Sequence, residues 1–285
     1  MKFSQPQADA HAPHGGDWLA ALASTTHLGI GAHPDDLEIM AYPGICACRG
    51  QKNLRFSGVI ATDGAGAPRS GSSAKLSGPE FVETRREEQK QAASLGGYAA
   101  ILQLAHPSAG IRGPGRGTLT AGLLQILKAA KPQVLYVHNP ADRHETHVAV
   151  FLASLAALRQ LPPSDRPAEI YACEVWGDLD WVSTAKVIRL PCRAPADFGP
   201  SLLRVFQSQV DGKRYDLAAA GRRRAQATFA DPYTPDQAEE VVLALDLKPL
   251  VENDKLTLTE FVSSLTEEFQ KQTLDRIRRL ESSHP

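Results

Sequence analysis

The chain has 285 residues, with Lys+Arg 31 against Asp+Glu 32 for a net charge of -1, and a chain this long buries roughly three quarters of its unfolded surface. Hydrophobic residues at 42% and charged residues at 22%, with Gly 22 and Pro 20, match globular averages and exclude general disorder. The neutral balance gives no overall pull toward nucleic-acid phosphates or anionic membranes. No apolar stretch approaches the roughly 20 residues that cross a bilayer.

Met1 to Asp17 carries Gln, His, Pro and Gly instead of a basic segment followed by an apolar one, so it does not read as a secretory leader. The expectation is a cytoplasmic protein with a flexible tail over residues 1–20 and one α/β domain over 21–285. A strand is predicted over His27 to Ala32. A helix follows His33-Pro34, because Leu37, Met40, Ala41, Gly44, Ile45 and Cys48 recur at helical spacing. Pro43 inside it predicts a kink or an end near Ala41. Leu54 to Thr62 is the second strand, closed by the turn Thr62-Asp63-Gly64-Ala65-Gly66, and Ala67 to Pro79 reads as a mobile loop beside the site.

Further on, a helix over Glu80 to Leu95 stops at Gly96-Gly97, and a strand over Tyr98 to Leu104 follows. Then come a helix over Leu119 to Ala130, a strand over Gln133 to His138, a helix over Glu145 to Gln160 and a strand over Glu169 to Trp176. This alternation predicts a Rossmann-like, mostly parallel sheet with helices on both faces. Lys186 to Leu190 reads as a strand. Helices over Pro200 to Gln209, Asp216 to Thr228 and Leu258 to Leu280 make 185–285 a mainly helical C-terminal extension. The cysteines, Cys46, Cys48, Cys173 and Cys192, are too few and too irregular for a disulfide framework and read as small core residues.

In open α/β sheets ligands collect beyond the carboxyl ends of the strands. Two such ends are loaded: His33-Pro34-Asp35-Asp36-Leu37-Glu38, and His138-Asn139-Pro140-Ala141-Asp142-Arg143-His144-Glu145-Thr146-His147. Asp142 with Glu145 has the shape of a capping box, which starts a helix near Arg143. His144, His147, Val148, Phe151 and Leu155 then share its buried face. Two carboxylates directly after a buried strand repel each other unless a cation compensates them. His33 and Asp36 can converge on one ion, which leaves Asp35 free beside it. Imidazole and carboxylate together are what a catalytic Zn²⁺ uses, with a position open to water. The plainer reading of Asp35 or Asp36 is a helix cap.

His33-Pro34-Asp35-Asp36 with Glu38, Asp142-Arg143-His144-x-x-His147, the Thr62-Asp63-Gly64 turn, and Arg85-x-x-Glu88 with Leu95-Gly96 resemble the PIG-L/LmbE-like superfamily of zinc-dependent N-acetylglucosaminyl deacetylases, over roughly residues 26–175. The segments Glu174 to Trp181 and Ser208 to Asp216 resemble the C-terminal region of one bacterial branch. The resemblance implies His33, Asp36 and His147 as ligands of Zn²⁺ or another divalent metal such as Fe²⁺, Asp35 as general base, and protonated His144 beside the developing oxyanion. It implies Arg85 as the arginine that holds sugar hydroxyls, and a small-molecule N-acetyl aminosugar conjugate as substrate. Arg143 and Trp176 are further candidates for substrate contact, Trp176 by stacking on a sugar ring. No nucleic-acid or membrane partner is expected, and self-association is left open.

Two departures stand out. Thr146 replaces an Asp common in the superfamily, so Asp142 and Glu145 are the carboxylates left to orient His144. Tyr42-Pro43-Gly44 replaces the usual Gly-Gly-Thr, which predicts a reshaped pocket. His106 reads as a loop residue and His138 as a strand-end residue near the pocket. Gly29-Ile30-Gly31 is disfavoured as a phosphate turn by Pro34 and the carboxylates. A phosphorylated-receiver Mg²⁺ pocket explains neither His33 nor the later histidines. Arg222-Arg223-Arg224 points in several directions on a helix and reads as solvated or acid-paired. The alternatives are a metal-dependent hydrolase of another amide or ester, and a catalytically silent sugar-binding or regulatory protein.

Overall fold

The computed structural model describes residues 1–282. Its strands are β1 (Asp9–His11), β2 (His27–Gly31), β3 (Phe56–Thr62), β4 (Ile101–His106), β5 (Val134–His138), β6 (Glu169–Cys173), β7 (Val187–Pro191) and β8 (Val241–Asp246). The helices are α1 (Trp18–Ala23), α2 (Asp36–Met40), α3 (Tyr42–Cys48), α4 (Gly78–Gly96), α5 (Ser108–Ile111), α6 (Arg116–Ala130), α7 (Glu145–Arg159), α8 (Phe198–Arg204), α9 (Gln207–Val210), α10 (Tyr215–Phe229), α11 (Lys248–Glu252) and α12 (Leu258–Ser282).

One sheet runs in the order β1-β4-β3-β2-β5-β6-β8-β7. The neighbours β4-β3-β2-β5-β6 are parallel, as the strand–helix alternation predicts. Chain direction across the sheet reverses between β2 and β5, and a crevice opens at such a switch point. β2 and β3 are buried along their whole length, as a sheet covered on both faces requires. One core lies under α1, α6, α7 and α12, where Leu28, Ile30, Leu123 and Phe151 meet. A second lies under α2, α3 and α8, around Leu37, Ile45, Phe56 and Tyr98.

Three expectations are corrected. Residues 1–20 are not a flexible tail: β1 pairs antiparallel with the β4 edge and Phe3 packs on Trp18 at 5.7 Å. The same segment covers His106, which ends β4 as a buried residue with Ser4 Oγ and Gln5 Nε2 each at 3.4 Å. The C-terminal region is mainly helical and keeps its predicted strand as β7, but it adds a strand that was not expected, β8, which inserts antiparallel between β6 and β7. Loop 67–77 is docked: the Ser72 N–H and Oγ–H donate to Asp211 Oδ2 at 2.8 and 2.7 Å. The predicted break at Pro43 is present, because α2 stops at Met40 and α3 restarts with Pro43 in its first turn, where the missing N–H is tolerated.

Candidate functional site

A cleft of about 300 Å³ sits at the carboxyl ends of β2 and β5. Its floor starts where β2 gives way to α2. Asp35 adopts a left-handed backbone, φ 92°, and makes no side-chain cap. Asp tolerates this region better than most residues, yet the conformation persists only when its surroundings hold it. Here the Asp35 N–H donates to Gln89 Oε1 at 3.2 Å. Gln89 Nε2 donates to Glu38 Oε1 at 2.9 Å, and so does the Tyr98 hydroxyl at 2.7 Å.

The capping reading of Asp36 fails as well. Its Oδ2 faces backward and accepts the N–H groups of Ala32 at 3.0 Å and His33 at 2.7 Å. This puts a carboxylate, 2% exposed, against two imidazoles. His33 Nδ1 lies 3.4 Å from Asp36 Oδ2, His147 Nε2 lies 3.4 Å from Asp36 Oδ1, and the two ring nitrogens are 3.2 Å apart. Donors of a tetrahedral zinc with bonds of about 2.0–2.1 Å sit about 3.3 Å from one another, so these atoms fit a divalent ion.

Two other triples bring ligand atoms within 4.8 Å of one another: His33, His144 and His147, and Asp36, His138 and His147. Ring orientation separates the three sets. An imidazole lone pair lies in the ring plane, and His138 stacks on His147 at 4.0 Å with a 22° tilt, as His144 does at 4.6 Å and 23°. Nearly parallel planes that far apart meet well beyond metal-bonding range. His33 is inclined to His147 by 47°, so their lone pairs can converge.

Asp142 was expected as a cap and instead supports the cluster. Its Oδ2 accepts the N–H of Val175 at 2.9 Å and of Trp176 at 3.2 Å, and faces His147 Nδ1 at 3.3 Å. Its Oδ1 accepts the His144 N–H at 2.9 Å. The cap of α7 is His144 itself, whose Nδ1 accepts the Thr146 N–H at 3.2 Å. That bond leaves Nε2 as the N–H of the neutral ring. Neither Asp142 nor Glu145 orients the His144 ring, and exposed Glu145 pairs with Arg112 at 3.1 Å.

The charges follow from these contacts. Burial would raise the Asp36 carboxyl, but His147 and His138 hold it well below its ordinary range. Burial pushes Asp35 well above its range against the pull of Arg85. Burial would lower His147, and the Asp36 and Asp142 carboxylates raise it instead. His144 is lowered to about 4 by burial and by its neighbours His147 and His33, which favours the neutral ring.

His33, Asp35, Asp36, Arg85, His144 and Trp176 all line the cleft, with His147 buried behind them. Arg85 Nη1 donates to Gly64 O and Nη2 to Pro34 O, both at 2.8 Å, and Nη2 lies 3.5 Å from Asp35 Oδ2. Its donors thus clamp the Gly64 turn, Pro34 and Asp35. Arg143 is exposed and does not line the cleft; Arg112 does. One face of Trp176 is taken by Lys213 Nζ at 4.4 Å, and Tyr215 meets it edge-on at 6.0 Å. Gln209 and Tyr215 also line the wall; the sequence marked their segment, Ser208 to Asp216, by resemblance alone and gave neither residue a place at the site. Arg223 and Arg224 are acid-paired as read, both facing Glu240, while Arg222 bonds the Val175 carbonyl oxygen instead.

A family model described as PIG-L, GlcNAc-PI de-N-acetylase, matches residues 28–158. The uncharacterized deacetylase YaiS of Escherichia coli (strain K12) is 31% identical over 142 residues, which cover 47% of this chain and 69% of that protein. The chain belongs to the PIG-L family. Among solved structures, this PIG-L fold is similar to the N,N'-diacetylchitobiose deacetylase of Pyrococcus horikoshii, with a TM-score of 0.61, 18% identity, and coverage of 82% of this chain and 88% of that one. It is also similar to GalB, the 4-carboxy-2-hydroxymuconate hydratase of Pseudomonas putida KT2440, with a TM-score of 0.57, 17% identity, and coverage of 78% and 95%. The PIG-L fold thus carries different chemistries, and function has to be argued from the site. No helix among the described residues is long and apolar enough to cross a membrane.

Proposed function

We propose that this chain is a zinc-dependent N-deacetylase of an N-acetylglucosamine-type sugar or sugar conjugate, with His33, Asp36 and His147 as the metal ligands. The observation that carries this reading is that His33 Nδ1 and His147 Nε2 lie 3.2 Å apart, each with an oxygen of the Asp36 carboxylate at 3.4 Å, beside the Asp35 carboxyl. Family membership supports it. A divalent ion held there supplies a Lewis acid for the acetamide carbonyl and a lowered pKa for water.

The protein's own groups do the rest. Asp35 takes a proton from the attacking water and passes it to the departing amine. Neutral His144 donates a hydrogen bond from Nε2 to the developing oxyanion, a contribution of roughly 3 to 4 kcal/mol for one such donor. Arg85 fixes Asp35 and the Gly64 turn. Trp176 and Tyr215 form the aromatic wall against which a sugar ring packs.

The test is acetate release from a panel of N-acetylglucosamine glycosides and N-acetylated simple amines, with zinc-loaded and chelator-treated protein. Acetate from the sugars, lost on chelation and restored by Zn²⁺, is expected. Asp35→Asn should keep one zinc per chain and lose at least about 100-fold in turnover. Release from no N-acetyl sugar by the zinc-loaded chain sinks the reading.

A further inference from the structure

Helix α4 lays two side chains across the turn that carries Asp35. Arg85 and Gln89 are four residues apart and share one face of that helix, and both are buried, at 2% and 0% exposed. Arg85 Nη2 donates to the Pro34 carbonyl at 2.8 Å, and Gln89 Oε1 accepts the Asp35 N–H at 3.2 Å. Those two backbone groups belong to one peptide unit. The plane between Pro34 and Asp35 is therefore held at both of its polar ends by one helix. Its orientation matters because of the backbone that follows. Half a turn of this plane would carry the φ of Asp35 from 92° to about −90°, inside the ordinary region for an L residue. The observed conformation persists only while its surroundings enforce it.

We propose that Gln89 is a positioning residue for Asp35, clamping the Pro34–Asp35 peptide together with Arg85 in the orientation that turns the Asp35 carboxyl into the cleft. The inference rests on the reading of Asp35 as the base. Gln89 is itself oriented: its Nε2 donates to Glu38 Oε1 at 2.9 Å, and the Tyr98 hydroxyl donates to the same oxygen at 2.7 Å. Because Glu38 receives the amide N–H, the amide oxygen is the end that faces Asp35. Both ends of the buried amide are thus occupied, which offsets the cost of burying it. With none of its surface exposed, Gln89 reaches no substrate, and its effect on the reaction passes through Asp35. Losing the acceptor frees the peptide plane to turn, and the carboxyl leaves its place beside the attacking water.

The experiment compares Gln89→Met, which keeps the length of the side chain and removes the acceptor, with the swap Glu38→Gln/Gln89→Glu, which keeps an oxygen toward the Asp35 N–H and one amide between the two positions. Gln89→Leu stands in if the Met variant does not fold. Hydrogen exchange of the Asp35 amide is read by NMR on the metal-free chain, and kcat and KM for acetate release on the zinc-loaded one. In Gln89→Met the Asp35 amide is expected to exchange about 10-fold faster. Zinc should stay at one per chain, with kcat down about 10- to 100-fold and KM within about twofold of the parent. The swap is expected to recover most of both losses. Parental exchange of the Asp35 amide in Gln89→Met overturns the inference, and so does a parental kcat. A loss that the swap fails to recover assigns the effect to packing and overturns it too. Full turnover in Asp35→Asn sinks the base reading instead, and the amide exchange then still decides whether Gln89 holds the peptide.

Discussion

Asp142 joins three parts of the chain: the N–H of His144, the ring of His147, and the N–H groups of Val175 and Trp176, the last two more than thirty residues away. Burial would raise this carboxyl, and the His147 contact takes it below its ordinary range. Asp142→Asn should therefore weaken zinc binding by about 10- to 100-fold with little loss of helix α7, measured by chelator competition and circular dichroism. The sequence singled out His33 and Asp36 because they follow the end of β2, and His147 because it falls one helical turn after His144 at the start of α7. Asp142 was misread because a local capping pattern explained it, and the contact that matters depends on how β6 pairs with β5. Glu174, next to that contact, carries a pH effect. Burial lifts its carboxyl from 4.5 to about 7 against the Trp181 hydrogen bond, so the folded state keeps a proton that the unfolded chain releases. Its stabilising contribution is full below about pH 4.5 and is lost as pH rises through about 7. Glu174→Gln should flatten this part of the fall in Tm between those limits, and an unchanged slope would contradict the assignment.

The α2–α3 junction shows a sequence feature that predicted its own outcome. Pro43 cannot continue a helix that began at Asp36, and the chain restarts there as α3, bringing Gly44 against the sheet. A Cβ on Gly44 would meet Tyr136 Cε2 at 2.5 Å, so Gly44→Ala should destabilise the fold by about 1–3 kcal/mol, seen as a lower denaturation midpoint. Loop 67–77 was misjudged at the same scale. Its Gly, Ser and Pro content argued for mobility, yet Asp211 holds Ser72, and Glu88 holds the neighbouring Ser208 through its N–H at 2.8 Å and its hydroxyl at 2.6 Å. Asp211→Ala should release the loop. The expected effects are faster proteolytic nicking near residue 70 and a rise in KM of about threefold with kcat little changed, since the loop walls the cleft without touching the ligands.

Across the whole sheet, the five parallel strands were readable from alternating apolar runs, whereas β1 and β8 were not. β1 is three residues of Asp, Ala and His whose only reason to be extended is the β4 edge, and β8 takes its place through pairings on both sides. Such strands are fixed by long-range partners that local pattern does not report. Removing residues 1–12 should expose the β4 edge, with a lower Tm and aggregation visible by light scattering; a truncated chain that scatters no more light than its parent and is equally stable would contradict this. The docked walls of the cleft carry a last consequence. All three nitrogen and oxygen donors proposed for the ion come from residues 33–147, while Trp176, Gln209, Lys213 and Tyr215 come from later in the chain, beyond the span shared with the family. Part of what would set selectivity is thus written apart from the proposed ligands, and a chimera that exchanges only the later stretch would show how far those four side chains, against Arg85, Arg112 and the 66–68 turn that share the cleft, decide which molecule is accepted.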